Sequence, residues 1–154
     1  MKPSEKETVR KLLIDSYSFD YDLNEGYKAD ILDMESRVAS CETWVLEEND
    51  ELVATVCTPF NGEHMTDFAH DDEMDFRLLA VSPQHRRKGY GATMVEHVEK
   101  LAQHRGYKKL MLVTGPEMET AQNLYHALGF EQPKAREEYV PEFGITLLIF
   151  VKTV

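Results

Sequence analysis

Residues 110–113 (LMLV) are apolar at every position, and the run is only four residues long. A run so short suits a strand better than a helix. A strand without polar alternation must be covered on both faces, as in a parallel pair. The chain therefore needs a sheet with helices packed on its two sides.

The covering elements are readable from periodicity. Val9, Leu12, Leu13 and Tyr17 recur at helical intervals and predict a first helix over about 4–17, with Ser4 and Glu7 at capping-box spacing. Tyr27, Ile31, Met34 and Val38 predict a second over about 25–39. Met94, Val95, Val98, Leu101 and Ala102 share a face of a third, which ends near Gly106. Ala121, Leu124, Tyr125 and Leu128 define a fourth, stopped at Gly129. Residues 43–47 and 52–58 read as an antiparallel hairpin turning at Glu48-Asn49-Asp50, with Trp44 expected in the core. Residues 75–81 (DFRLLAV) are the next strand, and strand-like segments at about 136–140 and 144–152 close the chain. The predicted order is ααβββαβαββ, a mixed α/β sheet in a single domain, residues 1–154.

Charge is distributed unevenly. Residues 1–75 carry 6 Lys/Arg against 20 Asp/Glu, whereas residues 76–154 carry 11 against 8. Nucleic-acid binding needs a basic face and is not expected. A small anion on the second half and a cationic ligand near the first remain compatible with this balance. The opening MKPSEKETVRK lacks the apolar core of a secretory signal, and no run approaches the roughly 20 apolar residues that span a bilayer. Cys41 and Cys57 are too few for a disulfide framework. The expectation is a cytoplasmic chain with reduced core thiols and no membrane partner, a monomer or homodimer.

The acidic chain nevertheless gathers three cations at one point, Arg86-Arg87-Lys88, followed at once by Gly89-Tyr90-Gly91. A strand end, a turn and glycines opening a helix form a physical solution for binding phosphate. The first helical N–H groups lack intrahelical partners, and the helix dipole adds positive potential there. Two other phosphate loops are excluded: Gly-Lys-Ser/Thr is missing, and Met94 stands where a dinucleotide fingerprint needs a small residue. On its own, the glycine pair reads better as a solvated, permissive turn.

Two motifs together carry more. Leu79-Ala80-Val81, then Arg86 to Gly91, then Tyr125 to Phe130 (YHALGF) resemble the GNAT superfamily of N-acetyltransferases over roughly residues 75–131. The resemblance implies a mostly antiparallel mixed sheet flanked by helices, with the family's first strand short or absent because a helix begins so early. It implies acetyl-coenzyme A as co-substrate, without a metal, its pyrophosphate held at Arg86, Arg87, Lys88, Gly89, Tyr90, Gly91 and Ala92. The pantetheine arm would run along the backbone of Leu79 and Val81, with the Val81 N–H as oxyanion donor, a contact worth about 3 kcal/mol of transition-state stabilisation.

By the same resemblance Tyr125 is the general acid for the departing thiolate, and Asn123 a cofactor contact; the family's more typical asparagine position holds Met118. The acceptor is a primary amine, of a small molecule or a peptide, only on the order of one part in 10³ neutral at pH 7. A base is needed, and Asp75 matches the position of a strand carboxylate in some relatives, with Glu73 as substitute. Alternation would set Glu73, Asp75, Arg77, Leu79 and Val81 on one face; the alternative is a surface Asp75 paired with Arg77. The polar segment 59–73, with His64, His70, Asp71 and Asp72, reads as an active-site loop that attracts a cationic amine and lacks a recognised metal-ligand spacing. The competing function is a non-catalytic acyl-coenzyme A sensor, which would need the glycines but not Tyr125.

Overall fold

Helix α1 (Lys6–Asp20) buries Val9, Leu12, Leu13, Ser16 and Tyr17, the stripe that 3.6-residue periodicity demands. A computed structural model describes all 154 residues. The expected Ser4–Glu7 capping box is not made. Ser4 lies inside a short 3-10 turn, Pro3–Glu5, and the Lys2 N–H donates to Glu5 Oε2 one turn earlier, at 2.5 Å. The predicted second helix is in fact two, α2 (Glu25–Leu32) and α3 (Met34–Ser40). Asp33 breaks it, because its carboxylate accepts the Ser36 N–H at 3.1 Å and caps α3 instead of continuing α2.

Strands β1 (Glu42–Glu48) and β2 (Glu51–Thr58) form the expected hairpin. Asn49 and Asp50 both take positive φ at its turn, as a two-residue hairpin loop requires. No strand precedes α1; Met1 N reaches only the Thr43 carbonyl, at 2.9 Å. Trp44 packs against the core and donates its indole N–H to Thr58 Oγ1 at 2.8 Å.

The predicted strand 75–81 is the main correction. It is two strands, β3 (Glu73–Asp75) and β4 (Arg77–Val81), in different sheets. One sheet runs β1-β2-β4; the other runs β3-β5-β7-β6, with β5 at Lys109–Thr114, β6 at Glu138–Val140 and β7 at Ile145–Thr153. β3 lies parallel to β5, and β7 antiparallel to β5 along its other edge; the successive residues Leu110, Met111 and Leu112 are all buried, so β5 is covered on both faces as expected.

Within β4, Leu78 adopts φ +54 and the pairing with β2 shifts register between Arg77 and Ala80. This bulge switches the side-chain faces. Met74 and Phe76 join a cluster with α4 (Tyr90–His104) and α5 (Glu119–Ala127), whereas Leu78 and Ala80 join the α1 cluster. Glu73 and Asp75 therefore do not share a face with Leu79 and Val81. Beyond the bulge β4 and β5 pair with other strands and leave a wedge between them.

No helix is long and apolar enough to cross a membrane. Cys41 and Cys57 are free, buried thiols. Leu13 is fully buried between α1 and the sheet. Leu13→Ala should cost about 2–5 kcal/mol of stability, read as a lower urea midpoint with unchanged slope.

Candidate active site

The wedge ends at a turn that the backbone itself makes receptive to anions. Arg87 and Gly89 take φ +63 and +81, so successive N–H groups turn toward one side, as in an anion nest. None of the six backbone N–H groups from Arg87 to Ala92 donates to an acceptor of the chain. They continue into the N-terminus of α4, which has no side-chain cap and adds its dipole.

The two glycines have different duties. A Cβ on Gly89 would meet nothing within 4 Å, so that position is glycine for its backbone angle. A Cβ on Gly91 would lie 3.4 Å from Leu124 Cδ2 and 3.8 Å from Val81 Cγ2, in ordinary contact with the groove between α5 and β4.

The three cations also divide. Arg87 and Lys88 are exposed. The Arg86 guanidinium is spent inside the protein: Nε donates to the Val81 carbonyl at 2.9 Å, and the terminal nitrogens bond Asp20 at 2.9 Å and Ser16 Oγ at 2.9 Å. It locks the cradle to the last turn of α1. Tyr90 contributes its N–H to the nest, while its ring packs into the core.

The open edge of β4 lines the wedge. Ser82 donates its N–H to Val53 on β2 at 2.9 Å; by alternation, Leu79 and Val81 turn their backbone groups away from β2. Side chains reach that edge: Arg86 to the Val81 carbonyl, and the Tyr17 hydroxyl to within 3.5 Å of the Leu79 carbonyl.

Tyr125, on α5, is 6% exposed and packed edge-on against Phe76 and Phe130, at ring separations of 6.0 and 5.4 Å. Burial pushes its hydroxyl well above the ordinary phenol range, with smaller contributions from the neighbouring phenols of Tyr21 and Tyr27. Asn123, two positions earlier, is exposed and points roughly 200° away around the helix; the structure does not bring it to Tyr125.

Asp75 is not a surface carboxylate, and Arg77 pairs with Asp30 instead, at 2.9 Å. Asp75 is 1% exposed; its Oδ2 accepts the N–H groups of Met65 and Thr66 at 2.8 and 2.7 Å, while Oδ1 is buried without a hydrogen-bond partner. Desolvation raises its pKa against the lowering effect of those two bonds and of His64. Glu73 is equally buried but fully engaged, by Arg136 at 2.6 Å and the His70 N–H at 3.0 Å. Of the two strand carboxylates, only Asp75 keeps an oxygen free. His70, Asp72 and Glu73 bring ligand atoms within 4.8 Å of one another, yet the Arg136 guanidinium already occupies Glu73 and would repel a cation there.

Periodicity did not single out Tyr21 and Tyr27 for the site, and it marked Tyr17 only as core. The Tyr21 hydroxyl accepts the Ala121 N–H at 3.1 Å, tying α1 to the first turn of α5. The Tyr17 ring lies 6.0 Å from Tyr21 and 6.1 Å from Tyr27, an aromatic wall beside the wedge.

Known proteins are similar to this chain in sequence and in fold. The model of the acetyltransferase (GNAT) family matches residues 6–130. Rat N-acetyltransferase 8 is 33% identical over 94 residues, which cover 58% of this chain and 39% of that protein. The [ribosomal protein bS18]-alanine N-acetyltransferase of Escherichia coli K12 is 33% identical over 70 residues, 46% of this chain and 47% of that one. The chain thus spans less than half the length of these relatives. The PaiA N-acetyltransferase of Thermoplasma acidophilum, crystallised in complex with coenzyme A, superposes with a TM-score of 0.69 at 14% identity, covering 97% of this chain and 94% of that one; this likeness concerns the fold.

The raised Asp75 pKa has a stability consequence. Folding binds the Asp75 proton more tightly, so the group's contribution is fully present below the unfolded carboxylate pKa and is lost as pH rises through the folded value. Asn can still accept both loop N–H groups but carries no charge. Asp75→Asn should therefore match wild type in acid and gain relative stability toward neutral pH, read by urea titrations at several pH values.

Proposed function

Because this chain belongs to the acetyltransferase (GNAT) family, we propose that residues 1–154 act as one N-acetyltransferase domain. The reaction moves the acetyl group of acetyl-coenzyme A directly to a primary amine, of a small molecule or a peptide. The observation that carries this reading is the wedge between β4 and β5 leading into six consecutive unpartnered N–H groups at the start of α4. The unpaired edge of β4 offers backbone groups to a thioester arm, and a pyrophosphate suits the nest.

In this reading the N–H groups of Arg87 to Ala92 hold the pyrophosphate, with Arg87 and Lys88 adding charge from the surface. Arg86 holds the cradle in position through Asp20 and Ser16. Leu79 and Val81 offer backbone groups to the pantetheine amides, and the Tyr17 hydroxyl and Arg86 Nε give way at the carbonyls they now occupy. The Val81 N–H polarises the thioester carbonyl, where a preorganised donor is worth about 3 kcal/mol.

Asp75 takes a proton from the acceptor ammonium, directly or through a water. Its raised pKa brings a carboxylate closer to the range useful for a base. Tyr125 gives its proton to the departing sulfur and is reprotonated by the second proton that the nitrogen loses on becoming an amide. Burial makes the phenol a weaker acid, but the same dry surroundings destabilise a thiolate, so the transfer is less uphill than the phenol's shift alone suggests.

The test is a thermal shift with acetyl-coenzyme A, followed by a panel of amines with released thiol as the readout. Stabilisation together with thiol release is expected. Stabilisation without turnover on any amine would favour a non-catalytic sensor. Tyr125→Phe should lower kcat by about 100-fold with acetyl-coenzyme A affinity unchanged; a full rate would mean another group protonates the thiolate.

A further inference from the structure

The acetyl transfer proposed above consumes an ammonium and yields a neutral amide and a neutral thiol, so one proton leaves the site in each turnover. The group that takes that proton, Asp75, is 1% exposed. A carboxyl so buried needs a route to solvent, or it stays protonated after one cycle. Its two oxygens are not equivalent. Oδ2 is closed off by the N–H groups of Met65 and Thr66, which can only donate. Oδ1 has no partner and lies 3.9 Å from Nδ1 of His64.

His64 reaches outward from that point. Its side chain is 29% exposed, and its ring stands edge-on to Tyr107 at 6.5 Å. The ring therefore has one nitrogen near the buried carboxyl and a surface open to water. The segment that carries it is fastened to Asp75 by the next two residues, Met65 and Thr66. The loop between β2 and β3 thus delivers an imidazole to the free oxygen of the same carboxylate that holds the loop in place.

We infer that His64 is a positioning residue that acts through Asp75, relaying the proton of the acceptor amine from Asp75 Oδ1 to solvent. The inference rests on the acetyltransferase reading. In the step, the Oδ1–H bond breaks and an Nδ1–H bond forms, giving a carboxylate and an imidazolium. The imidazolium then loses its Nε2 proton to water or buffer, and exchange with solvent restores the starting tautomer. The 3.9 Å gap exceeds a direct hydrogen bond and is spanned by a rotation of the ring or by one bridging water. The groups facing the carboxyl are His64 and the two loop N–H donors. Tyr107, packed on the imidazole, holds the ring at the boundary between the buried and exposed sides.

The experiment uses the whole chain, saturating acetyl-coenzyme A and an amine accepted by wild type, in dilute buffer across roughly pH 6–9. His64→Ala and His64→Gln should lower kcat about tenfold or more, with the KM for acetyl-coenzyme A within twofold of wild type. Added imidazole should restore the kcat of His64→Ala in a saturable way, leave wild type unchanged and fail to rescue Asp75→Asn. A merely structural role for His64 predicts lowered thermal stability and no rescue, and that result would overturn the relay. So would a wild-type kcat in His64→Ala throughout the pH range. If wild type itself transfers no acetyl group to any amine while His64→Ala folds normally, the acetyltransferase reading fails and takes the relay with it.

Discussion

The break at Phe76, with the bulge at Leu78 just after it, is the constraint on which the rest of the molecule depends. On one side of it β3 pairs with β5; on the other, β4 pairs with β2. Had the strand run straight, β4 would have continued beside β5 and closed the sheet. Holding Leu78 at φ +54 costs roughly 1–2 kcal/mol of backbone strain. Burying its side chain in the α1 cluster returns about as much or somewhat more. The wedge and the free edge of β4 follow from the change of partner between Asp75 and Arg77, and the bulge at Leu78 sets which side chains of β4 face α1.

The last turn of α1 connects the two arms of the wedge. Arg86 bonds it to the cradle through Asp20 and Ser16, and Tyr21 bonds it to the first turn of α5. Tyr17 lies between them, close to the β4 edge. The pair between Arg86 and Asp20 is half-sheltered, so it is screened less than a surface pair and is supported by hydrogen bonds to neutral groups. An arginine in a basic turn thus serves the fold, while its exposed neighbours Arg87 and Lys88 remain available to an anion.

Two acidic side chains of one short strand illustrate how environment divides identical chemistry. Glu73 and Asp75 are both 1% exposed. Glu73 is matched by a guanidinium and a backbone N–H, so its charge is compensated and held. Asp75 has only neutral donors on one oxygen and none on the other, so burial works against its charge. A carboxylate left in that condition is costly to the fold, which is why its free oxygen and the nearby imidazole invite a chemical explanation.

Much was legible in the sequence because it was local. The apolar run at 110–113, the helical stripes of α1, α4 and α5, and the hairpin turn at Asn49-Asp50 each obey a period or a turn rule that neighbours along the chain decide. Gly89 of the cradle was legible for the same reason, since a positive φ is a property of one residue. The breaks were less so: Asp33 ended a helix whose apolar period ran straight through it, because a capping carboxylate outbid one more helical turn. The alternation over 73–81 misled, because a single residue in the left-handed region flips every side chain beyond it. What only the tertiary structure decided is which partner each charged or phenolic group meets: Arg86 with Asp20, Arg77 with Asp30 rather than Asp75, and Asp75 with the backbone of a loop. Those pairings join residues from 9 to 66 positions apart, and they depend on where packing leaves a buried charge without water, which no local pattern records.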